Sequence, residues 1–209
     1  MELKYEKIYA PGTDVGLKVT KGHFATNHAH TNYYIDLTTI KSRVSEAQEI
    51  ARALVHMYLY DMVVDTIVCM EGTEVIGTLL AEELTKGGFL SLNAHKTIYI
   101  IKPEFNSNSQ IMFKDNFRPM LNGKNVILLT ATVTTGLTII EGIQYYGGII
   151  QSVSAVFSAL DEMNGIPIKS VFGKRELPDY MFSDYRNCPI CKEGKKLDAL
   201  INPYGYSKL

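Results

Sequence analysis

The chain has 209 residues, enough for one domain with a sizeable core. Hydrophobic residues make up 46% and charged residues 21%, ordinary globular values, and the formal net charge of −1 excludes a global field that would recruit nucleic acid or an anionic membrane. No apolar run approaches the ~20 residues of a membrane span, and the first residues lack a signal-peptide apolar core, so a cytoplasmic protein is expected.

Residues 1–40 hold short mixed runs. His23–Asn27 and Asn32–Leu37 read as extended pieces around the polar turn Asn27–Thr31. A helix is expected from Ser45 to Tyr60, because Ile50, Leu54, Met57 and Tyr58 share one face and Ser45 suits an N-cap. The pattern then alternates. Thr66–Met70 reads as a buried strand, Val75–Leu84 as a helix and Thr97–Ile101 as a strand. Lys102–Asn125 is polar and poor in pattern. Val126–Thr130 is a further buried strand, and Thr138–Tyr146 a helix stopped by Gly147-Gly148. Strands follow within Ile149–Leu160 and at Ile168–Phe172. This alternation predicts α/β architecture: an open, mostly parallel sheet flanked by helices, with right-handed crossovers. The expected division is one domain, with a small N-terminal hood over about 1–40, a core over about 44–175 and a tail over about 176–209. Ligands of such sheets bind beyond the strands' C-terminal ends, which points to Glu71–Ile76, Lys102–Arg118 and Ala131–Thr138.

The segment Val126–Thr138 carries the most chemistry. A buried strand runs into a threonine-rich loop with Gly136 and then a helix. Backbone N–H groups at such a helix start, the positive dipole end and the hydroxyls of Thr134, Thr135 and Thr138 suit a dianionic phosphate. A threonine-capped helix with a flexible turn reads from the same letters; the strand–loop–helix context favours the phosphate site. Glu71, a carboxylate at a strand's C-terminal end before Gly72, suits a ligand loop, or equally a charge placed for a helix dipole.

At these residues the chain resembles the type I phosphoribosyltransferases. Their signature is four apolar residues, two acids, a short spacer and Thr-Thr-Gly-x-Ser/Thr; Val126–Leu129 and Thr134-Thr135-Gly136-Leu137-Thr138 match its two ends. Gly22–Thr26, Tyr33–Leu37 and the tail Cys188-Pro189-Ile190-Cys191-Lys192-Glu193-Gly194 are similar to orotate phosphoribosyltransferases in particular. The resemblance implies a 5-phosphate site at Thr132, Val133, Thr134, Thr135, Gly136, Leu137 and Thr138. It implies a pyrophosphate loop at Glu71, Gly72, Thr73 and Glu74, ribose contacts at Thr130 and Lys102, and a base pocket near Phe24, Tyr33 and Tyr34. It also implies 5-phosphoribosyl 1-diphosphate (PRPP) as ligand, Mg²⁺ as cofactor and a homodimer.

Thr130 and Ala131 stand at the two acidic positions, and Glu162 stands near the place of an orotate-binding arginine. Lys114 and Arg118 read as solvated loop charges. Two functions therefore remain open. One is phosphoribosyl transfer from PRPP to a nitrogenous base. The other is a non-catalytic or repurposed protein that binds a nucleoside 5′-monophosphate or ribose phosphate. Three cysteines do not suggest a disulfide framework. Cys188 and Cys191 have the spacing of half a zinc site, which a histidine or a second subunit could complete, but no further cysteine is placed to do so and free thiols in a turn are the favoured reading. His28 and His30 in the polar turn read as exposed.

Overall fold

The run Val126–Leu129 sorts its side chains by parity. Ile127 and Leu129 join one buried cluster with Ile50, Leu54, Ile76 and Leu80, while Val126 and Leu128 join another with Ile140 and Ile143. A strand apolar on both faces belongs inside a sheet covered on both sides. The computed structural model shows this arrangement; it describes residues 4–27, 29–58, 60, 62–86, 91–107, 110–133, 137–202 and 204–209, and only the backbone at 137 and 138.

In chain order, β1 (Glu6–Ile8), β2 (Leu17–Ala25) and β3 (His30–Asp36) form an antiparallel meander. The short helix α1 (Thr38–Ser42) and α2 (Val44–Val55) lead to β4 (Thr66–Cys69), α3 (Glu74–Lys86) and β5 (Tyr99–Ile101). A hairpin of β6 (Glu104–Phe105) and β7 (Ile111–Met112) and a 3-10 helix at Asp115–Met120 precede β8 (Asn125–Val133). Then come α4 (Leu137–Tyr145), β9 (Ile149–Ser158), β10 (Glu162–Met163) and β11 (Ile166–Gly173). The tail holds β12 (Phe182–Ser183), α5 (Pro189–Lys192), β13 (Ala199–Asn202) and β14 (Gly205–Lys208).

The core sheet has the order β10-β11-β9-β8-β4-β5, and β11, β9, β8, β4 and β5 are parallel. Helices α2 and α3 cover one face and α4 the other. The expected open α/β sheet is thus present, and no described helix is long and apolar enough to cross a membrane. Two differences from the sequence expectation matter for the site. Strand β8 continues past Thr130 to Val133, because Thr132 and Val133 still pair with Phe157 and Ser158. The tail is also no appendage: the second sheet has the order β12-β3-β2-β13-β14, so tail strands complete the hood on both sides of the β2–β3 hairpin.

Helix α3 lies close on the core sheet at Gly77, where an added Cβ would run into the Cys69 sulfur of β4. Alanine normally favours a helix over glycine by about 1 kcal/mol. Here overpacking against the sheet outweighs that gain, so Gly77→Ala is expected to destabilise the protein by about 1–3 kcal/mol. Urea unfolding measures it, and a raised midpoint would contradict the close approach.

Candidate functional site

The hood sheet stands over the C-terminal ends of β4 and β8, and a cleft of about 340 Å³ lies between them. Its lining includes Tyr33 and Tyr34 from β3, Glu71 after β4, Ala131 and Thr132 from β8, and Asn202 from β13. Four segments remote in sequence thus meet at the strand ends where open α/β sheets take their ligands.

Glu71 is the centre of this geometry. Parallel pairing sets Cys69 beside Leu129, and the Met70 N–H continues the ladder to the Leu129 carbonyl at 2.8 Å. The chain then reverses through two residues with positive φ, Glu71 at 58° and Gly72 at 80°. Glycine accepts this conformation freely, and glutamate adopts it at a cost. The reversal turns the Glu71 carboxylate back onto β8. The Thr130 hydroxyl donates to Oε2 at 3.1 Å, and the N–H groups of Ala131 and Thr132 also bear on the carboxylate. Thr73 caps the reversal, its hydroxyl donating to the carbonyls of Met70 at 2.8 Å and Leu129 at 3.2 Å.

Burial raises the Glu71 carboxyl above the ordinary carboxylate range; the Thr130 hydroxyl, the Lys41 ammonium and the two N–H groups offset this only in part. Lys41, half-buried on α1, donates to the Glu71 carbonyl at 2.9 Å. Burial lowers its ammonium below the usual lysine value, against the opposing pull of Glu71, Glu74 and Asp36. Nothing in the local sequence singles Lys41 out; its role comes from the packing of α1 beside the loop.

The remaining predicted site residues fall as follows. Gly72, Thr73 and Glu74 form the loop and the first residue of α3. Lys102 stands at the end of β5 and pairs with Glu74 at 2.8 Å, bridging the two strand ends outside the cleft lining. Burial raises Glu74, but Lys102 outweighs it and holds the carboxyl below its ordinary range. Thr130 is buried and serves Glu71. Thr132 lines the cleft, while Val133 is buried in β8. Thr134, Thr135 and Gly136 lie outside the described residues, as do the side chains of Leu137 and Thr138; α4 begins at Leu137.

Tyr33 donates its hydroxyl to Asp179 at 2.8 Å, and Asp179 in turn pairs with Lys21 at 2.6 Å. Tyr34 packs among Tyr5, Phe24 and Tyr206. Phe24 is fully buried behind Tyr34, so it braces the wall and does not reach the cleft. Among the described residues, none of the segment after β5 lines the cleft either. Its hairpin packs Ile111 and Phe113 into the core, and Lys114 pairs with Glu104 on the surface at 2.9 Å. Glu162 is exposed on β10, away from the lining. Cys188 and Cys191 lie where the tail meets the hood, beside His23 and His30. His30 is half-buried and turned towards Cys191, not exposed as the polar turn suggests; His28 lies outside the described residues.

No protein-family model and no curated protein matches the chain. Solved structures do. UMP synthase of Leishmania donovani is similar with a TM-score of 0.54 and 19% identity, over 77% of this chain and 34% of that longer one. The orotate phosphoribosyltransferase of Mycobacterium tuberculosis gives 0.52 and 18%, over 77% of this chain and 92% of the other. The adenine phosphoribosyltransferase of Thermoanaerobacter pseudethanolicus gives 0.51 and 14%, over 82% and 95%. The chain therefore has the phosphoribosyltransferase fold. The orotate and adenine enzymes share it over more than nine-tenths of their own length and about four-fifths of this chain.

A carboxyl whose folded-state pKa exceeds its unfolded value binds a proton on folding. Its contribution to stability is then greatest in acid and falls as pH rises from the ordinary carboxylate range towards the raised value. Glu71→Gln abolishes that fall. The melting temperature of the variant relative to the parent is expected to increase from acid to neutral pH. A difference that stays flat or shrinks over that range would show that the carboxylate is not destabilised by its burial.

Proposed function

We propose that the protein binds PRPP in this cleft and transfers its phosphoribosyl group to a nitrogenous base. The observation that carries this reading is the Glu71 carboxylate, held against Thr130, Ala131 and Thr132 where the signature of the fold's enzymes would place its acids. The negative charge missing from positions 130 and 131 is restored from the neighbouring strand end.

In this reading the Glu71 carboxylate accepts hydrogen bonds from the ribose hydroxyls. The Glu71–Glu74 backbone, with Lys41 beside it, faces the pyrophosphate. The 5-phosphate is assigned, as the resemblance implies, to the segment between Thr132 and the start of α4. Tyr33 and Tyr34 wall the base. Attack of a base nitrogen on C1 of the ribose breaks the bond to pyrophosphate, and the protein's part is positioning and charge stabilisation. Glu71 and substrate oxygens fit the oxygen ligation that Mg²⁺ requires. The bound cation supplies neutralisation of pyrophosphate charge. Among the described lining residues none is cationic, and Thr26, Asn27, Thr31 and Asn202 offer neutral donors and acceptors. That lining suits an uncharged base better than one bearing a carboxylate. A homodimer and a cytoplasmic location belong to the same reading.

The loss of acids at Thr130 and Ala131 favours a second reading, a binder of nucleoside 5′-monophosphates or ribose phosphate without turnover. Pyrophosphate release from Mg²⁺–PRPP across a panel of bases, paired with calorimetry, separates the two. Turnover with at least one base is expected. Absence of turnover with every base, together with phosphate-dependent binding indifferent to Mg²⁺, would replace transfer by the second reading.

Lys41→Ala is expected to weaken PRPP binding about tenfold to a hundredfold, the loss of a charge-assisted hydrogen bond of roughly 1.5–3 kcal/mol. Isothermal titration measures it. Unchanged affinity would remove Lys41 from the pyrophosphate side of the cleft.

A further inference from the structure

Four soft or borderline ligand atoms converge at the junction of hood and tail. His23 comes from β2, His30 from the start of β3, Cys188 from just before α5 and Cys191 from within it. Their ligand atoms all lie within 4.8 Å of one another. His23 Nε2 is 3.2 Å from His30 Nδ1, 3.5 Å from Cys188 Sγ and 3.7 Å from Cys191 Sγ. His30 Nδ1 is 3.2 Å from Cys191 Sγ. A tetrahedral Zn²⁺ with Zn–N of about 2.05 Å and Zn–S of about 2.3 Å sets its ligands about 3.3 Å apart for two nitrogens and about 3.5 Å for nitrogen and sulfur. The four separations given lie within about 0.4 Å of the edges of that tetrahedron, and the other two are no longer than 4.8 Å.

The surroundings orient the ligands. His23 Nδ1 faces the carbonyl oxygens of Lys195 at 3.1 Å and Lys196 at 3.2 Å. Two acceptors at Nδ1 place the proton there and leave the Nε2 lone pair directed at the cluster, the outer-shell arrangement typical of metal-bound histidine. The His23 backbone is clamped as well, its N–H donating to Asp198 Oδ2 at 2.7 Å and its carbonyl accepting from the Asp198 N–H at 2.8 Å. The N–H groups of Cys191 and Ile190 bear on the Cys188 sulfur, the donor pattern that a thiolate ligand needs.

We propose that His23, His30, Cys188 and Cys191 bind one Zn²⁺ ion in a closed, structural Cys₂His₂ site that staples the tail to the hood. Four protein ligands leave no open position, so the ion holds structure and does not activate water. Its consequence reaches the cleft. Eight residues after Cys191 the chain enters β13, which pairs in parallel with β2 at Ala199↔Phe24 and Leu200↔Ala25 and supplies Ile201 and Asn202 to the cleft lining.

The purified full chain, kept reduced, is to be assayed for bound metal and then stripped and titrated with Co²⁺, a spectroscopic stand-in for Zn²⁺. One equivalent of zinc per chain is expected, and Co²⁺ should give the visible absorption of a tetrahedral thiolate site. Zn²⁺ should displace it and raise the melting temperature of the stripped protein. Cys191→Ser and His30→Ala should each weaken binding by more than the roughly 10- to 100-fold that loss of an outer-shell partner costs, while Cys69→Ser, at a buried core position, should leave it unchanged. Failure of the folded, reduced parent to take up either metal would overturn the proposal without relying on any variant. So would uptake that Cys191→Ser and His30→Ala leave intact, or a Cys188–Cys191 disulfide that persists in reductant.

Discussion

A carboxylate held at the ends of two parallel strands is the constraint around which the cleft is organised. The pairing of β4 with β8 fixes where Glu71 begins its reversal, and the reversal through positive φ fixes where its side chain ends. The hydroxyls of Thr130 and Thr73 then tie the loop to β8: one donates to the carboxylate, the other to the carbonyls of Met70 and Leu129. Burial disfavours the charged form, yet a hydroxyl, two N–H groups and an ammonium are arranged to receive it. Residues held against their own solvation and backbone preferences are characteristic of functional sites.

The core was legible because its signals are local. Val126–Leu129 and Thr66–Cys69 are apolar on both faces, and only interior strands of a covered sheet need that pattern. The helices announced themselves by period, as Ile50 and Leu54 show on α2. The site was legible in its parts and not in its assembly. Thr130 and Ala131 read as a loss of acids, because the carboxylate that contacts them lies 59 residues earlier and reaches them only through the backbone reversal. Lys41 carried no signal for the same reason.

The tail was the least legible segment, and its strands explain why. β12 has two residues, and β13 and β14 have four each with mostly exposed side chains. Such strands show neither a continuous apolar run nor a clear alternation. What holds them is tertiary: Ala199 packs with Phe24 and Tyr34 in a small separate cluster, and Tyr206 packs on Tyr34. The pair Cys188 and Cys191 was visible as half of a ligand set, but its other half comes from a hairpin more than 150 residues away in sequence.

Leu177 and Tyr180, early in the tail, pack on the main core, whereas beyond Cys191 the tail rests on that small cluster. Phe24, Tyr34 and Ala199 are its fully or nearly buried members, far fewer than the residues that hold α2 and α3 to the core sheet. Short segments that cannot bury enough apolar surface depend on cross-links, and a four-ligand cluster is one such cross-link. The same segments carry Asn202 and Phe182 into the cleft wall. The part of the wall that Phe182 and Asn202 supply therefore depends on how firmly the tail is tied, whereas the core side depends on the β4–β8 ladder. Glu71 and Tyr33 both stand on the main core, one through the β4–β8 ladder and the other through the cluster it shares with Leu17 and Leu37, whereas Phe182 and Asn202 reach the cleft on tail strands.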